Sequence, residues 1–460
     1  MTPPEPLPPR APGEPPVPLA ARMAHSWTVT WPLIIGSLSA TALALVDTAL
    51  LGRYGTDALA SIAVALPLFV LGSALVIPWG TAIQVLVARW SGAGDRASIA
   101  RLLDLGLLIC LAAGTLPALA IAVTAPVLVD LVAGGAAPPE SATALRILAA
   151  CLPFTAITAH YRGVFGGLTQ TSVTMRVAVI VNLANIPLDV LFVFGLDLGA
   201  VGSAIGTVLA TMLGAAYVAW LARRRLAPDY SYPRRAHLRS PGPMAGQVWQ
   251  IGWPDVTFAV LVYGADALLA AVVATIGTTE LAGYRLMVTT VSLLWVVVFA
   301  CSSGIAILAG QRLGAGDLAG VRGVAQAGAL LMTLLGLLVV AAPLAVPGLY
   351  FPLFSDDPAV VADAQGAVWV LLVLVPAMVV SMTLAGVLRA GGDTKGILYA
   401  GALSQLLLAV PVAWFAATRL EWGLSGVYAG FATGVAARAV CTVVRFRQGR
   451  WRTALAPART

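Results

Sequence analysis

Apolar runs of membrane length recur from Val29 to Val444, and no soluble core could absorb them all. They cover roughly residues 29–51, 59–88, 102–125, 142–165, 174–195, 199–222, 249–275, 283–310, 322–345, 362–388, 396–417 and 423–445. Each is long enough to cross a hydrocarbon core of about 30 Å as a helix. Only 10% of the 460 residues are charged, far below the roughly 25% of a soluble domain. The runs do not alternate polar with apolar residues, which argues against a transmembrane barrel and for a helical bundle. The expected fold class is an all-α membrane protein with twelve transmembrane helices.

The chain is written twice. Trp31-Pro32 returns as Trp253-Pro254, an offset of 222, and Gly92-Ala93-Gly94-Asp95 returns as Gly314-Ala315-Gly316-Asp317 at the same offset. Gly163-Val164 and Thr171 return as Gly386-Val387 and Thr394, offset 223; Pro187, Gly199 and Gly202 return as Pro411, Gly423 and Gly426, offset 224. Six spans per copy is an even number, so both copies point the same way. The expected architecture is two parallel six-helix lobes related by a pseudo-two-fold axis along the membrane normal. The boundaries follow: a disordered, Pro-rich cytoplasmic tail over 1–24, an N-lobe over 25–222, a basic cytoplasmic linker over 223–247, a C-lobe over 248–447 and a cytoplasmic tail over 448–460. Paired parallel lobes suit a transporter, although channels and membrane enzymes also arise by duplication.

Subtracting one copy from the other separates scaffold from chemistry. Pro32, Pro153 and Pro187 keep their partners Pro254, Pro376 and Pro411. The polar residues do not: Asp47 faces Leu269, Asn185 faces Ala409, Asp189 faces Ala413 and Thr207 faces Phe431. Asp47 sits in WPLIIGSLSATALALVDTALLG and Asp189 in VAVIVNLANIPLDVLFVFG. An intramembrane carboxylate is expensive, which makes each a functional-site hypothesis. Asn185 and Asp189 are four apart on one helix face, and Asn182 extends that stripe. Pro187 between them frees the carbonyl of Leu183. Ser203, Thr207 and Thr211 form a second polar stripe on the next helix. Asp47, Asp189 and Thr207 each lie roughly 9–12 Å below the outer boundary at 1.5 Å per residue, so they can converge. The bland alternative is interhelical hydrogen-bonding glue. Two close carboxylates in low dielectric cannot both stay ionised. They can hold a proton, or both ionise around a cation.

The charge distribution excludes other classes. With an inward N-terminus, Arg53, Arg146, Arg285 and Arg419 are the only outer members of the 27 basic residues, and Arg438 is counted with Arg445, Arg447, Arg450 and Arg452 on the inner side. That bias places both termini in the cytoplasm. The net charge of +7 then reads as orientation and contact with anionic lipids, and no nucleic-acid partner is expected. The N-terminal segment has no apolar core and is not expected to be a secretory signal. Cys110, Cys151, Cys301 and Cys441 are scattered without a CxxC pair, so neither zinc nor a disulfide framework is expected.

These residues resemble the multidrug and toxic compound extrusion (MATE) transporters, and within them the DNA-damage-inducible F (DinF) branch. The resemblance runs over residues 25–447 and rests on Trp31-Pro32, DTALLGRYGTDALA, the repeated GAGD loops, NLANIPLD followed by GAVGSAIGT, and GVLRAGGDT. It implies an N-lobe site for a proton, with sodium as the open alternative, at Asp47, Asn185, Asp189 and Thr207. It also implies a helix-bending role for Pro32. The expected activity is antiport of cationic or amphipathic small molecules against protons by alternating access, from a bacterial inner membrane. No cofactor is expected. The partners are substrate and lipid, and the transporter works as a monomer.

One departure matters. The branch with a C-lobe sodium site carries acids on helices 7 and 10, and here helix 10 has none. Asp255, after Pro254, reads as a helix-start residue. Asp266 and Tyr263, with Asn182 and Ser203, are candidate cavity residues, and Gln84, Trp79, Met175, Met287 and Trp295 are candidates to line an apolar cavity. Two further readings compete with this one. A lipid-linked precursor flippase would favour a cationic cavity, whereas the basic residues here are read as keeping to the loops. An intramembrane aspartyl protease would need its GxGD motif inside a span, whereas both GAGD copies fall in loops.

Overall fold

The computed structural model describes residues 18–232, 242–274 and 276–452. Among these residues every regular element is helical. Twelve helices are long and apolar enough to cross a membrane: α1 (Leu19–Tyr54), α2 (Thr56–Ala93), α3 (Arg96–Ala133), α4 (Ser141–Gly167), α5 (Ser172–Gly195), α6 (Gly199–Arg225), α7 (Gly242–Ala274), α8 (Glu280–Gly314), α9 (Leu318–Ala345), α10 (Val370–Ala390), α11 (Thr394–Thr418) and α12 (Gly423–Arg447).

Three boundaries differ from expectation. The first helix already begins at Leu19, inside the segment expected as a tail; residues 1–17 lie outside the described residues. Within the expected linker, α6 continues to Arg225, a turn of helix spans Ala227–Tyr230, and α7 starts at Gly242. Residues 233–241 of that linker and 453–460 of the second tail are outside the described set. The run expected at 362–388 is two helices, Pro358–Gly366 and α10 from Val370, with Gly366 ending the first.

The loop motifs set the helix starts. Gly94 takes the left-handed conformation at φ 71° and closes α2, and Asp95 caps α3 by accepting from the Ser98 amide at 3.0 Å. The second copy repeats this with Gly316 at φ 74° and Asp317 accepting from the Gly320 amide at 2.7 Å. A helix that leaves its first N–H groups unbonded gains about 1 kcal/mol from such a cap, and glycine alone reaches that φ cheaply.

The described residues divide into two compact units. One is Trp31–Val256; the other holds the residues up to Thr30 and those from Thr257 onward. The boundaries fall inside α1 and α7, each beside a Trp-Pro pair, rather than in the linker. In the first unit Trp249 of α7 packs on Trp79, ring centroids 5.5 Å apart, and a Cβ on Gly252 would meet the Trp79 ring at 2.6 Å. In the second unit a Cβ on Gly304 would meet Thr30 Oγ1 at 2.5 Å, and Arg22 donates to Gln326 at 3.5 Å. Residues α1 19–30 therefore pack on α8 and α9.

Close backbone approach holds the first unit together. A Cβ on Gly80 would lie 2.5 Å from the Ala159 carbonyl, and one on Gly163 would collide with the Gly80 carbonyl. Helices α2 and α4 thus meet through small residues, as helices in lipid do when dispersion must replace the hydrophobic effect. Leu51, Ala58, Val193 and Ala200 form a buried cluster that seats the far end of α1 on α2, α5 and α6. Gly163→Val should part α2 from α4 and cost about 1–3 kcal/mol, read as a lowered melting temperature of the purified protein in detergent. An unchanged melting temperature would contradict the close approach.

Candidate functional site

Helices α1, α5 and α6 bring the predicted set together in the first unit. Asn185 and Asp189 are fully buried and Ser203 is 4% exposed. Asn185 Nδ2 donates to Asp189 Oδ1 and to Thr207 Oγ1, both at 3.4 Å. Ser203 Oγ donates to Asp189 Oδ2 at 3.4 Å, and Thr207 Oγ1 returns a hydrogen bond to the Ser203 carbonyl at 3.0 Å. Asp47, half-buried, brings its carboxyl within hydrogen-bonding reach of Asp189. Two carboxyl groups can hydrogen-bond only when one carries a proton. Among the described residues Asp47 Oδ1 and Asn185 Oδ1 are buried acceptors with no hydrogen-bond partner, an arrangement that costs free energy.

Local chain chemistry explains why these side chains can face one another. Pro187 cannot donate to the Leu183 carbonyl, and α5 widens into a π-turn over Val190–Gly195 directly after Asp189. Such a widening re-aims the side chains around it and recurs at functional sites. The second copy widens elsewhere, over Gln405–Ala409, ahead of Pro411. Gly206 provides the room for the carboxylate: a Cβ there would collide with Asp189 Oδ1.

Helix α1 is tied to α5 above and below the acids. Asn182 Nδ2 donates to the Ser39 hydroxyl and carbonyl, both at 2.6 Å. Tyr54 Oη donates to Asp197 Oδ1 at 2.7 Å, and its ring meets Phe194 edge-on. Ser39, Tyr54, Asp197 and Gly206 did not figure among the predicted site residues. Gly206 is matched by Gly430, so subtraction hid it, and Ser39 carries no charge to mark it. Pro32 is buried within a continuous α1.

Expectations for Asp255, Met287 and the basic residues need correction. Asp255 is thirteen residues into α7 and only 6% exposed, so it is not a helix-start residue. Tyr263 and Asp266 lie on an exposed face of α7 in the second unit, outside the first-unit cluster. Met287 is fully buried; Trp79, 9% exposed, packs on Trp249. Met175 is half-buried in the first unit, as is Gln84, whose side chain lies 3.0 Å from the space a Gly166 Cβ would take. Basic residues do not all keep to the loops: Arg438, expected on the inner side, is 8% exposed within α12, and Arg389 is 7% exposed within α10. Where the first unit has its acids, the second has Leu269 and Ala413, both buried, beside an apolar crevice of about 380 Å³ lined by Leu268, Ala271, Val272, Val410, Pro411 and Trp414.

Comparison with known proteins accords with this architecture. The chain matches the MatE family over residues 32–191 and 257–415, one stretch in each repeat. It is 29% identical over 448 residues to the probable multidrug resistance protein NorM of Bradyrhizobium diazoefficiens, covering 93% of this chain and 94% of that one. The corresponding protein of Pseudomonas syringae pv. tomato is 27% identical, with coverage of 92% and 93%. Among solved structures, the eukaryotic MATE transporter AtDTX14 superposes with a TM-score of 0.84 at 17% identity, over 95% of this chain and 97% of that one. Vibrio cholerae VcmN in its bent form superposes with 0.82 at 20% identity, over 95% and 98%. This is a family of transporters, not enzymes, and the protease alternative falls with that. With both repeats matched, the chain is a member of the multidrug and toxic compound extrusion (MATE) family of transporters.

Proposed function

We propose that the protein is a proton-coupled multidrug antiporter that exports cationic and amphipathic small molecules by alternating access. The observation that carries this is the pair of facing carboxyls, Asp47 and Asp189, with Asn185, Ser203 and Thr207 arranged around Asp189. Such a pair keeps its contact only while it holds a proton. With one shared proton it carries a single negative charge and ties α1 to α5; fully deprotonated, it carries two, repels itself and attracts a cation more strongly. The relatives named for multidrug resistance support drugs as the cargo.

Helix α1 is the element this switch would move. Of the twelve helices its apolar window is the least buried, at 11%, followed by α7 at 17%. Pro32 removes one backbone hydrogen bond beside the point where α1 passes from the second unit to the first, which lowers the cost of a bend there. Protons entering from outside would neutralise the acids, release a bound cation outward and leave inward as the units alternate. The site pattern fits the DNA-damage-inducible F branch. The positive-inside bias supports an inner-membrane protein with both termini cytoplasmic, read here as a monomer in lipid.

A second occupant has its own support. The orphaned oxygens of Asp47 and Asn185, with Asp189 and Thr207, are hard oxygen donors of the kind sodium takes. Transport into inverted vesicles under an imposed pH gradient or sodium gradient separates the two ions. A lipid-linked precursor moving in place of dyes would instead support a flippase.

Asp47→Asn and Asp189→Asn should each abolish pH-driven dye efflux while the proteins remain folded and inserted; undiminished efflux in both would end the assignment. Gly206→Ala should displace the Asp189 carboxylate and lower efflux about ten- to a hundredfold. Gly430→Ala, which meets Ala413 instead of an acid, should act on melting temperature only. Equal loss of efflux in both variants would contradict a specific role for Gly206.

A further inference from the structure

The subtraction that exposes acids in the first repeat exposes a base in the second. Arg438 of α12 matches Gly214, Phe258 of α7 matches Gly36, and Trp295 of α8 matches Ser73, at offsets of 224, 222 and 222. Three small residues have become an arginine and two aromatic rings. In the first unit the position has no room for such a side chain: a Cβ on Gly214 would already lie 2.5 Å from Val181 Cγ2. In the second unit the guanidinium of Arg438 lies 4.8 Å from the centroid of Phe258 and 5.6 Å from that of Trp295. Gly401 makes way for the Phe258 ring, which a Cβ there would strike.

Arg438 is 8% exposed and lies nine residues before Arg447, the end of α12, or about 13 Å along the helix. Among the described residues no carboxylate or carbonyl accepts a hydrogen bond from its guanidinium; its partners are the two rings. The nearby charge is of the wrong sign, because Arg389 is close enough to repel it. The carboxylate of Asp393 is taken by Arg445, at 2.7 and 2.8 Å. An arginine cannot shed its proton at any ordinary pH, so an intramembrane guanidinium without an acid is a standing cost. Rings offset part of it, but the planar donor fork stays unused. Both rings are half-buried. A flat guanidinium close to two aromatic rings fits one kind of guest: a carboxylate, taken by the fork in two parallel hydrogen bonds, on a planar aromatic body that adds to the ring contacts. The depth favours a substrate over a lipid phosphate, which stays near the boundary.

We propose that Arg438, Phe258 and Trp295 form a subsite in the second unit for the carboxylate of planar aromatic substrates. It rests on the efflux reading for its consequence, while its chemistry is measured by binding alone. The test uses the full-length purified protein and two xanthene dyes that differ only at one group: rhodamine 110, with a free carboxylate, and its methyl ester rhodamine 123. Fluorescence polarisation should show the wild type binding the acid at least as tightly as the ester. Arg438→Gln should weaken the acid by about tenfold or more and the ester less than twofold, with Arg438→Lys in between for the acid. Parallel loss of both dyes, or no loss of either, would overturn the proposal. Should Arg438→Gln fail to fold, Arg438→Lys and the wild-type comparison decide: wild type favouring the ester tenfold, or Arg438→Lys treating the dyes alike, overturns it. Arg438-dependent binding of the acid by a protein that exports neither dye would uphold the subsite and overturn the efflux reading.

Discussion

A charge placed in hydrocarbon must be paired, hydrogen-bonded or neutralised, and the polar chemistry of this transporter is arranged around that cost. In the first unit we propose that a shared proton meets the cost. Asp189 is wrapped by Asn185 and Ser203, Gly206 makes way for its carboxylate, and Asp47 approaches from α1. None of these partners is a cation. On that reading the acids are stable together only in a state of charge that the surroundings can change, and the site's occupancy and the position of α1 are linked through one contact.

That contact sits between two others. Ser39–Asn182 and Tyr54–Asp197 hold α1 to α5 and its following loop on either side of the acids. They are uncharged or lie at the helix end, so they do not depend on the proton in the same way. A helix held at two fixed points and one switchable point, with Pro32 further along it, can change shape locally while its ties to α5 and the following loop persist. The second unit keeps the same helix-packing glycines, such as Gly426 and Gly430, but replaces the acids by Leu269 and Ala413. It keeps the scaffold and carries different chemistry, an arginine stacked on aromatic rings.

Much of the fold was legible because duplication and hydropathy are strong signals. Eleven of the twelve apolar runs became single spans; the tenth broke after Gly366, where hydropathy stays high and only helix propensity falls. Leu19 to Met23 are apolar or long enough to extend α1, and proline content upstream hid that. The acid cluster was legible from spacing and charge, since Asn185, Asp189, Thr207 and Asp47 fall at one depth. Residues whose role is to leave space or to bond through an uncharged group were not: Gly206 looks like any packing glycine, and Ser39 like any helix serine. Arg438 was misplaced because positional charge rules count arginines near a helix end as loop residues, whereas its burial depends on Phe258 and Trp295 arriving from distant helices.

The central claim is that a proton and a cationic substrate exclude one another at Asp47 and Asp189. Titrating the purified protein with a cationic dye in weakly buffered solution, and recording proton release together with affinity across pH, tests it directly. By linkage, binding should release up to about one proton per dye, affinity should rise with pH, and both effects should vanish in Asp189→Asn. Binding that releases no proton, with an affinity independent of pH, would contradict the account.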